Sequence, residues 1–97
     1  MKIIEFQNLM KKLYFHQDSK RGIQKTFAWL IEEVGELAIV FKKPEINLKK
    51  ASEELADIIA WTASLANLIG VDLESALFEK YPYKCSKCDS SPCRCEK

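Results

Sequence analysis

Hydrophobic side chains recur every three or four positions along most of this chain, which is the spacing of one buried face on an α-helix. The stripes predict four helices, at residues 2–16, 23–43, 48–69 and 73–80. Asn47 and Asp72 are suitable N-caps for the last two helices, and Gly70 suits the end of the third. The polar residues 17–22 predict a loop between the first two helices. The chain is therefore expected to be all-α.

The second and third helices carry the longest apolar stripes, and we expect these stripes to form the core. They consist of Phe27, Leu30, Ile31, Val34, Leu37, Ala38 and Phe41 on one helix, and of Leu48, Ala51, Leu55, Ile58, Ile59, Thr62, Leu65, Ala66 and Ile69 on the other. A short connection centred near Glu45 favours an antiparallel hairpin, since helices joined by short loops usually pair in that way. Facing residues should then have numbers that sum to about 90.

Two pairs of acidic residues lie off these stripes, each beside a tryptophan. They are Glu33 and Glu36 with Trp29, and Glu54 and Asp57 with Trp61. In the antiparallel register, Glu33 lies level with Asp57, Glu36 with Glu54, and Trp29 with Trp61. Packed helix axes are ~8–10 Å apart, so carboxylates from both helices can reach one ion. An inward acid cluster is therefore predicted between the two helices.

Four clustered carboxylates repel one another and lose hydration, so a divalent cation is expected to neutralise them. Oxygen ligands select hard ions, Mg²⁺ first and Mn²⁺ next, and Mg²⁺ sites often serve phosphate chemistry. Taken singly, each acid reads more simply as an exposed helix residue paired with a lysine. A di-iron site would want Glu-x-x-His motifs, and the only histidine, His16, lies in another element.

Length and charge indicate a small single-domain protein and argue against several classes of function. The 97 residues suggest one domain, and a chain this short buries only a small core. A net charge of +1 argues against binding to duplex nucleic acid. The N-terminus lacks the pattern of a signal peptide, and no stretch approaches the ~20 apolar residues of a membrane span. We therefore expect a soluble, cytoplasmic protein without membrane contact.

All four cysteines lie in the last part of the chain, as Cys85-x2-Cys88-x4-Cys93-x-Cys95. Such clustering predicts a local metal site rather than a disulfide-stapled fold. Four thiolates can close around one tetrahedral Zn²⁺, which would be structural because no ligand position stays open. Disulfides, free thiols or a small docking module are the alternatives. The chain is thus expected to consist of a helical domain, 1–82, and a Cys-rich tail, 83–97.

The acid pattern resembles the MazG-like family of all-α nucleoside triphosphate pyrophosphohydrolases. The family signature, E-x-x-E, a variable gap and E-x-x-D, is matched by the two acid pairs with 17 residues between them. The flanking segments 29–38 and 54–61 also take the family's form, and weaker similarity extends over most of residues 10–82. The resemblance implies magnesium-dependent cleavage between the α- and β-phosphates of a nucleotide, in an oligomeric helical bundle.

In that reading, Glu33, Glu36, Glu54 and Asp57 bind Mg²⁺, and Glu33 or the adjacent Glu32 orients or deprotonates the attacking water. The candidate substrate-binding residues are Arg21, Lys25, Lys80, Trp29, Trp61 and Asn67. The three cations would meet phosphates, the tryptophans would stack on the base, and Asn67 would meet a base edge or the ribose. Ordinary surface charges, interface-sealing tryptophans and a buried asparagine bonded to backbone are the respective alternatives.

The Trp-bearing faces are too apolar for an isolated hairpin, so at least a homodimer is expected, with two hairpins forming a four-helix bundle. A second function class stays open beside the enzyme. It is a non-catalytic helical dimer that presents a zinc knuckle to a protein or nucleic-acid partner.

Overall fold

Helices account for most of the chain, as the apolar spacing predicts. The computed structural model describes residues 1–96, and Lys97, the last residue of the predicted tail, lies outside the described residues. The helices are α1 (Ile3–Arg21), α2 (Ile23–Lys42), α3 (Leu48–Ile69) and α4 (Leu73–Lys80), and residues 1–96 contain no strand. The all-α prediction is confirmed.

The predicted caps of α3 and α4 are confirmed. Asn47 Oδ1 accepts a hydrogen bond of 3.1 Å from the Lys50 backbone N–H, and Asp72 Oδ1 accepts one of 3.2 Å from the Ser75 N–H. Gly70 ends α3 with φ 75° and ψ 27°, a left-handed conformation that favours glycine. These local signals place both helix starts where the sequence predicts them.

The predicted loop at residues 17–22 is wrong, because α1 continues to Arg21. Asp18 is buried, and its side chain pairs with that of Arg21 one turn later at 2.8 Å. This contact lets a polar segment continue the helix instead of forming a loop. Gly22 alone separates α1 from α2, with a φ of 88° that favours glycine.

α3 lies at the centre of the fold and packs against both α1 and α2. Its antiparallel register with α2 is confirmed by Trp29 and Trp61, whose rings meet edge to face with centroids 5.5 Å apart. α1 is antiparallel to α3 as well. Near its start, Gln7 Nε2 donates to Asn67 Oδ1 at 3.1 Å, whereas Arg21 at its end lies over the Trp61 ring.

The predicted core orientation is wrong for the large exposed side chains of both stripes within a single chain. Ile31 is 52% exposed and Ile59 is 58% exposed, and Phe27, Val34 and Leu55 are similar. Two small residues of the predicted α3 stripe, Ala51 and Ala66, are buried as predicted. The other buried residues lie off both stripes: Met10, Val40 and Ala63, with the polar Gln7, Asp18, Thr26, Glu54 and Ser64. Periodicity identifies a face that needs burial, but not whether the same chain covers it.

Within residues 1–96 no single helix combines the length and apolarity needed to cross a membrane. Only α3 and α4 taken together pass on length and composition, across a bend of 101°.

Candidate functional site

Three of the four predicted acids meet between α2 and α3. One carboxylate oxygen each from Glu33, Glu36 and Glu54 lies within 4.8 Å of the other two. Glu33 and Glu36 are one turn apart on α2, which places both on the face toward α3. Glu54 is buried at 4% exposure, whereas Glu36 is exposed. The predicted meeting of Glu36 with Glu54 therefore agrees with the fold.

Asp57 lies one turn beyond Glu54 on α3 and outside this group of three. Its negative charge nevertheless contributes to the raised pKa of Glu33, so the two carboxylates share one electrostatic environment. Asp57 also lines a cavity of about 320 Å³. The structure thus places the fourth acid between the carboxylate cluster and that cavity. Glu32 is exposed on α2 and does not join the cluster.

The cluster perturbs the titration of its own members. Burial raises the pKa of Glu33 to about 7, assisted by the Glu54 carboxyl and by the charges of Glu36 and Asp57. Burial would also raise the pKa of Glu54, but interactions with Glu33, Lys50 and Glu36 outweigh it and lower that pKa. One carboxyl therefore keeps its proton so that its neighbour can be ionised, as expected for acids that repel one another.

The two carboxylate oxygens of Glu54 differ in their partners, and this difference bears on whether a cation fits the cluster. Its Oε1 lies 3.3 Å from the Lys50 ammonium, whereas its Oε2 is buried and has no hydrogen-bond partner anywhere in residues 1–96. An unpartnered buried carboxylate oxygen is costly unless something binds it. Three converging oxygen ligands of this kind suit a hard divalent cation such as Mg²⁺.

A cavity of about 320 Å³ opens beside the acids, between α1, α2 and α3. Trp29, Trp61 and Arg21, all predicted as substrate-binding residues, line it together with Asp57. Tyr14, Gln17, Asp18 and Ser64 line it too, although sequence reasoning did not assign them to binding. Their sequence signal is the helical spacing of Tyr14, Gln17, Asp18 and Arg21, which places these side chains on one face of α1.

Arg21 lies inside this cavity, held by polar and aromatic contacts. Its Nη1 donates to Asp18 Oδ1 at 2.8 Å and to Thr26 Oγ1 at 3.3 Å. Its guanidinium carbon lies 4.5 Å from the centre of the Trp29 ring and 5.0 Å from that of Trp61. A delocalised cation stacked on two indoles is well oriented, and the Asp18 carboxylate beside it balances its charge.

The other candidate substrate residues are placed less centrally. Lys25 lies with its ammonium 5.7 Å from the centre of the Trp29 ring, near the cavity. Lys80 is exposed on α4, 5.7 Å from the ring of Tyr81. Asn67 lies apart from the cavity, where Gln7 Nε2 donates to its Oδ1 and its Nδ2 donates to the Gln7 carbonyl oxygen, both at 3.1 Å. Asn67 is half-buried, and one of these two bonds is to backbone, as in the alternative of an asparagine bonded to backbone.

The four cysteine sulfurs also converge, each lying within 4.8 Å of the other three. Cys85 Sγ and Cys95 Sγ are 3.7 Å apart. A tetrahedral zinc site with Zn–S bonds of ~2.3 Å needs sulfurs ~3.8 Å apart, so the spacing fits. Backbone N–H groups of Lys87 and Arg94 donate to Cys85 Sγ and Cys88 Sγ, both at 3.4 Å.

These hydrogen bonds favour thiolates. Backbone N–H donation from Arg94 and Ser90 lowers the pKa of Cys88 to about 6, and donation from Cys88 and Lys87 lowers that of Cys85. The surrounding sulfurs of Cys93, Cys88 and Cys85 raise the pKa of Cys95 to about 11. Four sulfurs that share protons in this way are chemically suited to a metal ion, which would replace those protons.

Comparison with known proteins adds one finding. The family model described as the MazG nucleotide pyrophosphohydrolase domain matches residues 21–88, more than half of the chain. The matched segment contains all four acids, both tryptophans and Arg21. None of the curated proteins compared with the sequence matches it.

Proposed function

The chain belongs to the MazG nucleotide pyrophosphohydrolase domain family, and we propose that it hydrolyses a nucleoside triphosphate to the monophosphate and pyrophosphate with Mg²⁺. The observation that carries this proposal is the carboxylate cluster of Glu33, Glu36 and Glu54. Its buried oxygen, Glu54 Oε2, is unpartnered within the described chain. A scaffold without a ligand would gain nothing from such a group.

In the proposed site, Glu33, Glu36, Glu54 and Asp57 would hold Mg²⁺, with Mn²⁺ as a substitute. The bound ion would supply positive charge that neutralises phosphate oxygens and makes water a better nucleophile. Glu33 orients the attacking water and accepts its proton as the water oxygen bonds to phosphorus. The bond between that phosphorus and the bridging oxygen of the α–β anhydride breaks, which releases monophosphate and pyrophosphate. Glu32, exposed outside the cluster, is the second candidate for the base.

The nucleotide would extend from the acids into the adjoining cavity. Trp29 and Trp61 supply flat apolar walls for the base, and Arg21 supplies positive charge beside them. Lys25 is near enough to Trp29 to meet a phosphate at the rim. Lys80 and Asn67 contribute only if a second subunit or a conformational change brings them closer.

A homo-oligomer is part of the proposal. The outward stripes of α2 and α3, exemplified by Ile31 and Ile59, expose more apolar surface than an isolated small domain normally leaves in water. Pairing two hairpins through these stripes would form a four-helix bundle and leave the acids facing inward. The Trp-bearing faces are not the proposed interface, because they already contact each other within one chain.

The Cys-rich tail is proposed to hold one structural Zn²⁺ through Cys85, Cys88, Cys93 and Cys95. A reducing compartment such as the cytoplasm would keep these thiols available for metal. The division into a domain at 1–82 and a tail at 83–97 stays a prediction.

Product analysis tests the proposed reaction. Purified protein is incubated with a panel of canonical and modified nucleoside triphosphates, with Mg²⁺ or with EDTA. We expect monophosphate and pyrophosphate only with the metal, and loss of both in Glu36→Gln and in Asp57→Asn. No turnover by folded protein would instead favour a non-catalytic helical dimer that presents its zinc knuckle to a partner.

A further inference from the structure

Asp18 is a buried acid that the proposed hydrolysis does not use. Its side chain is 2% exposed, and it lines the same cavity as Trp29, Trp61 and Asp57. Its Oδ1 accepts hydrogen bonds from both terminal nitrogens of Arg21, at 2.8 and 3.1 Å. Its Oδ2 is buried and lacks any hydrogen-bond partner in the described part of the chain.

The geometry of this ion pair leaves one oxygen free. Arginine commonly binds a carboxylate side-on, with one nitrogen on each oxygen. Here both nitrogens address Oδ1, and Nη1 also donates to Thr26 Oγ1 at 3.3 Å. Arg21 therefore orients the Asp18 side chain without satisfying Oδ2. A buried, charged acceptor left unpaired in this way needs a donor.

We infer that Asp18 Oδ2 accepts a hydrogen bond from the exocyclic amino group of the substrate's base, so that the enzyme selects amino-bearing bases. This inference rests on the proposed function, which puts the phosphates at the acids and the base in the cavity. With the phosphates and ribose nearest the cluster, the base would be the part that reaches Asp18 on α1.

The chemistry of the bases decides which ones fit. Cytosine, adenine and guanine carry amino groups that project beyond the ring as donors, and Asp accepts naturally from cytosine N4. The imide N–H of uracil or thymine is flanked by two carbonyl oxygens. If this N–H donated to Asp18, the carbonyl oxygens would approach the carboxylate, and the negative charges would repel each other. A phosphate in this position would also be repelled by Asp18. An amino group is the donor that meets Oδ2 without such a clash.

The decisive test compares substrates that differ by one amino group. The wild-type protein is assayed with CTP and with the 2-pyrimidinone ribonucleoside triphosphate, and with ATP and the triphosphate of unsubstituted purine riboside. We expect kcat/KM to be at least tenfold higher for each amino-bearing member, because a site built to hydrogen-bond a group rejects the analogue that lacks it.

Asp18→Asn provides the matched variant. Its side chain has nearly the same shape but can turn an amide N–H₂ toward the cavity, so the preference for CTP over UTP should disappear or invert. Asp72→Asn, a change at the exposed N-cap of α4, serves as control for loss of a single carboxylate. Circular dichroism and thermal melting establish whether both variants fold.

Binding separates this inference from the proposed reaction. Tryptophan fluorescence, which reports on Trp29 and Trp61, is titrated with CMP and with the 2-pyrimidinone ribonucleoside monophosphate. Tighter CMP binding in wild type, lost in Asp18→Asn, supports the inference even if no triphosphate is hydrolysed. The inference is overturned if the wild-type protein hydrolyses CTP and its 2-pyrimidinone analogue equally well and binds the two monophosphates equally tightly. This outcome does not depend on whether the variant folds. A preference that Asp18→Asn leaves unchanged also overturns the inference.

Discussion

The ammonium of Lys50 lies 3.3 Å from Glu54 Oε1, while Oε2 of the same carboxylate is buried and unpaired within residues 1–96. The lysine is 53% exposed along its side chain, so this ion pair contributes little to stability by itself. Its position at the edge of the acid cluster matters more, because it leaves the inner oxygen of Glu54 for a cation.

Glu54→Gln is therefore expected to abolish Mg²⁺-dependent turnover, with a loss of roughly 10²-fold or more in kcat, since a metal ligand is removed without a change in shape. Lys50→Met should keep kcat within about threefold, as exposed ion pairs are weak. Steady-state kinetics and Mg²⁺ titration by calorimetry measure both. Equal losses in the two variants would contradict the assignment of Glu54 as the ligand.

The raised pKa of Glu33 predicts how the metal-free protein responds to pH. The folded state holds a proton up to a pKa of about 7, whereas the unfolded chain releases it near 4.5. The stabilisation from Glu33 is thus fully present below 4.5 and is lost as pH rises through about 7. The lowered pKa of Glu54 changes the stability only below about pH 4.5, outside the pH range in which Glu33 titrates.

In EDTA the free energy of unfolding should therefore fall between pH 5 and pH 8, by roughly 2 kcal/mol. Denaturant unfolding at several pH values measures how the free energy of unfolding depends on pH. Glu33→Gln should reduce this pH dependence, because the side chain no longer titrates. Mg²⁺ should reduce it in the wild-type protein by neutralising the cluster. A pH dependence that survives in Glu33→Gln would show that another group is responsible.

Hairpin register was predictable because it depends on local features: Asn47 caps α3, the connection is short, and Trp29 then falls level with Trp61. The end of α1 was not predictable from local features, because its helical state depends on the contact of Asp18 with Arg21 and on their burial against α3. The outward orientation of Ile31 and Ile59 was equally hidden, because periodicity carries no information about which molecule covers a face.

The apolar stripe makes a prediction about assembly. Ile59→Glu should convert the protein from a homo-oligomer to a monomer, because a charge in the middle of an apolar interface is left desolvated and unpaired. Ile39→Glu is the matched control, since Ile39 is 59% exposed, as Ile59 is at 58%, but lies off the predicted stripe. Light scattering after size-exclusion chromatography gives the masses. A monomeric wild type, or dissociation by both variants alike, would contradict the proposed interface.

The cysteine tail is expected to carry one zinc ion per chain. Replacement by Co²⁺ should produce the absorption of thiolate coordination, and Cys88→Ser should weaken metal binding at least tenfold because one of four ligands is lost. Metal analysis of protein purified under reducing conditions measures the stoichiometry. Disulfides between these cysteines, or metal-free protein with unchanged melting temperature after zinc addition, would argue against the site.

The proposed reaction is tested most directly by ³¹P NMR of a nucleoside triphosphate incubated with the protein and Mg²⁺ in ¹⁸O-labelled water. We expect monophosphate and pyrophosphate as the only phosphorus products, one of them carrying a single ¹⁸O, and neither product with EDTA or with Glu54→Gln. Formation of nucleoside diphosphate and inorganic phosphate would contradict a cut between the α- and β-phosphates. Formation of monophosphate and pyrophosphate in EDTA would contradict dependence on magnesium.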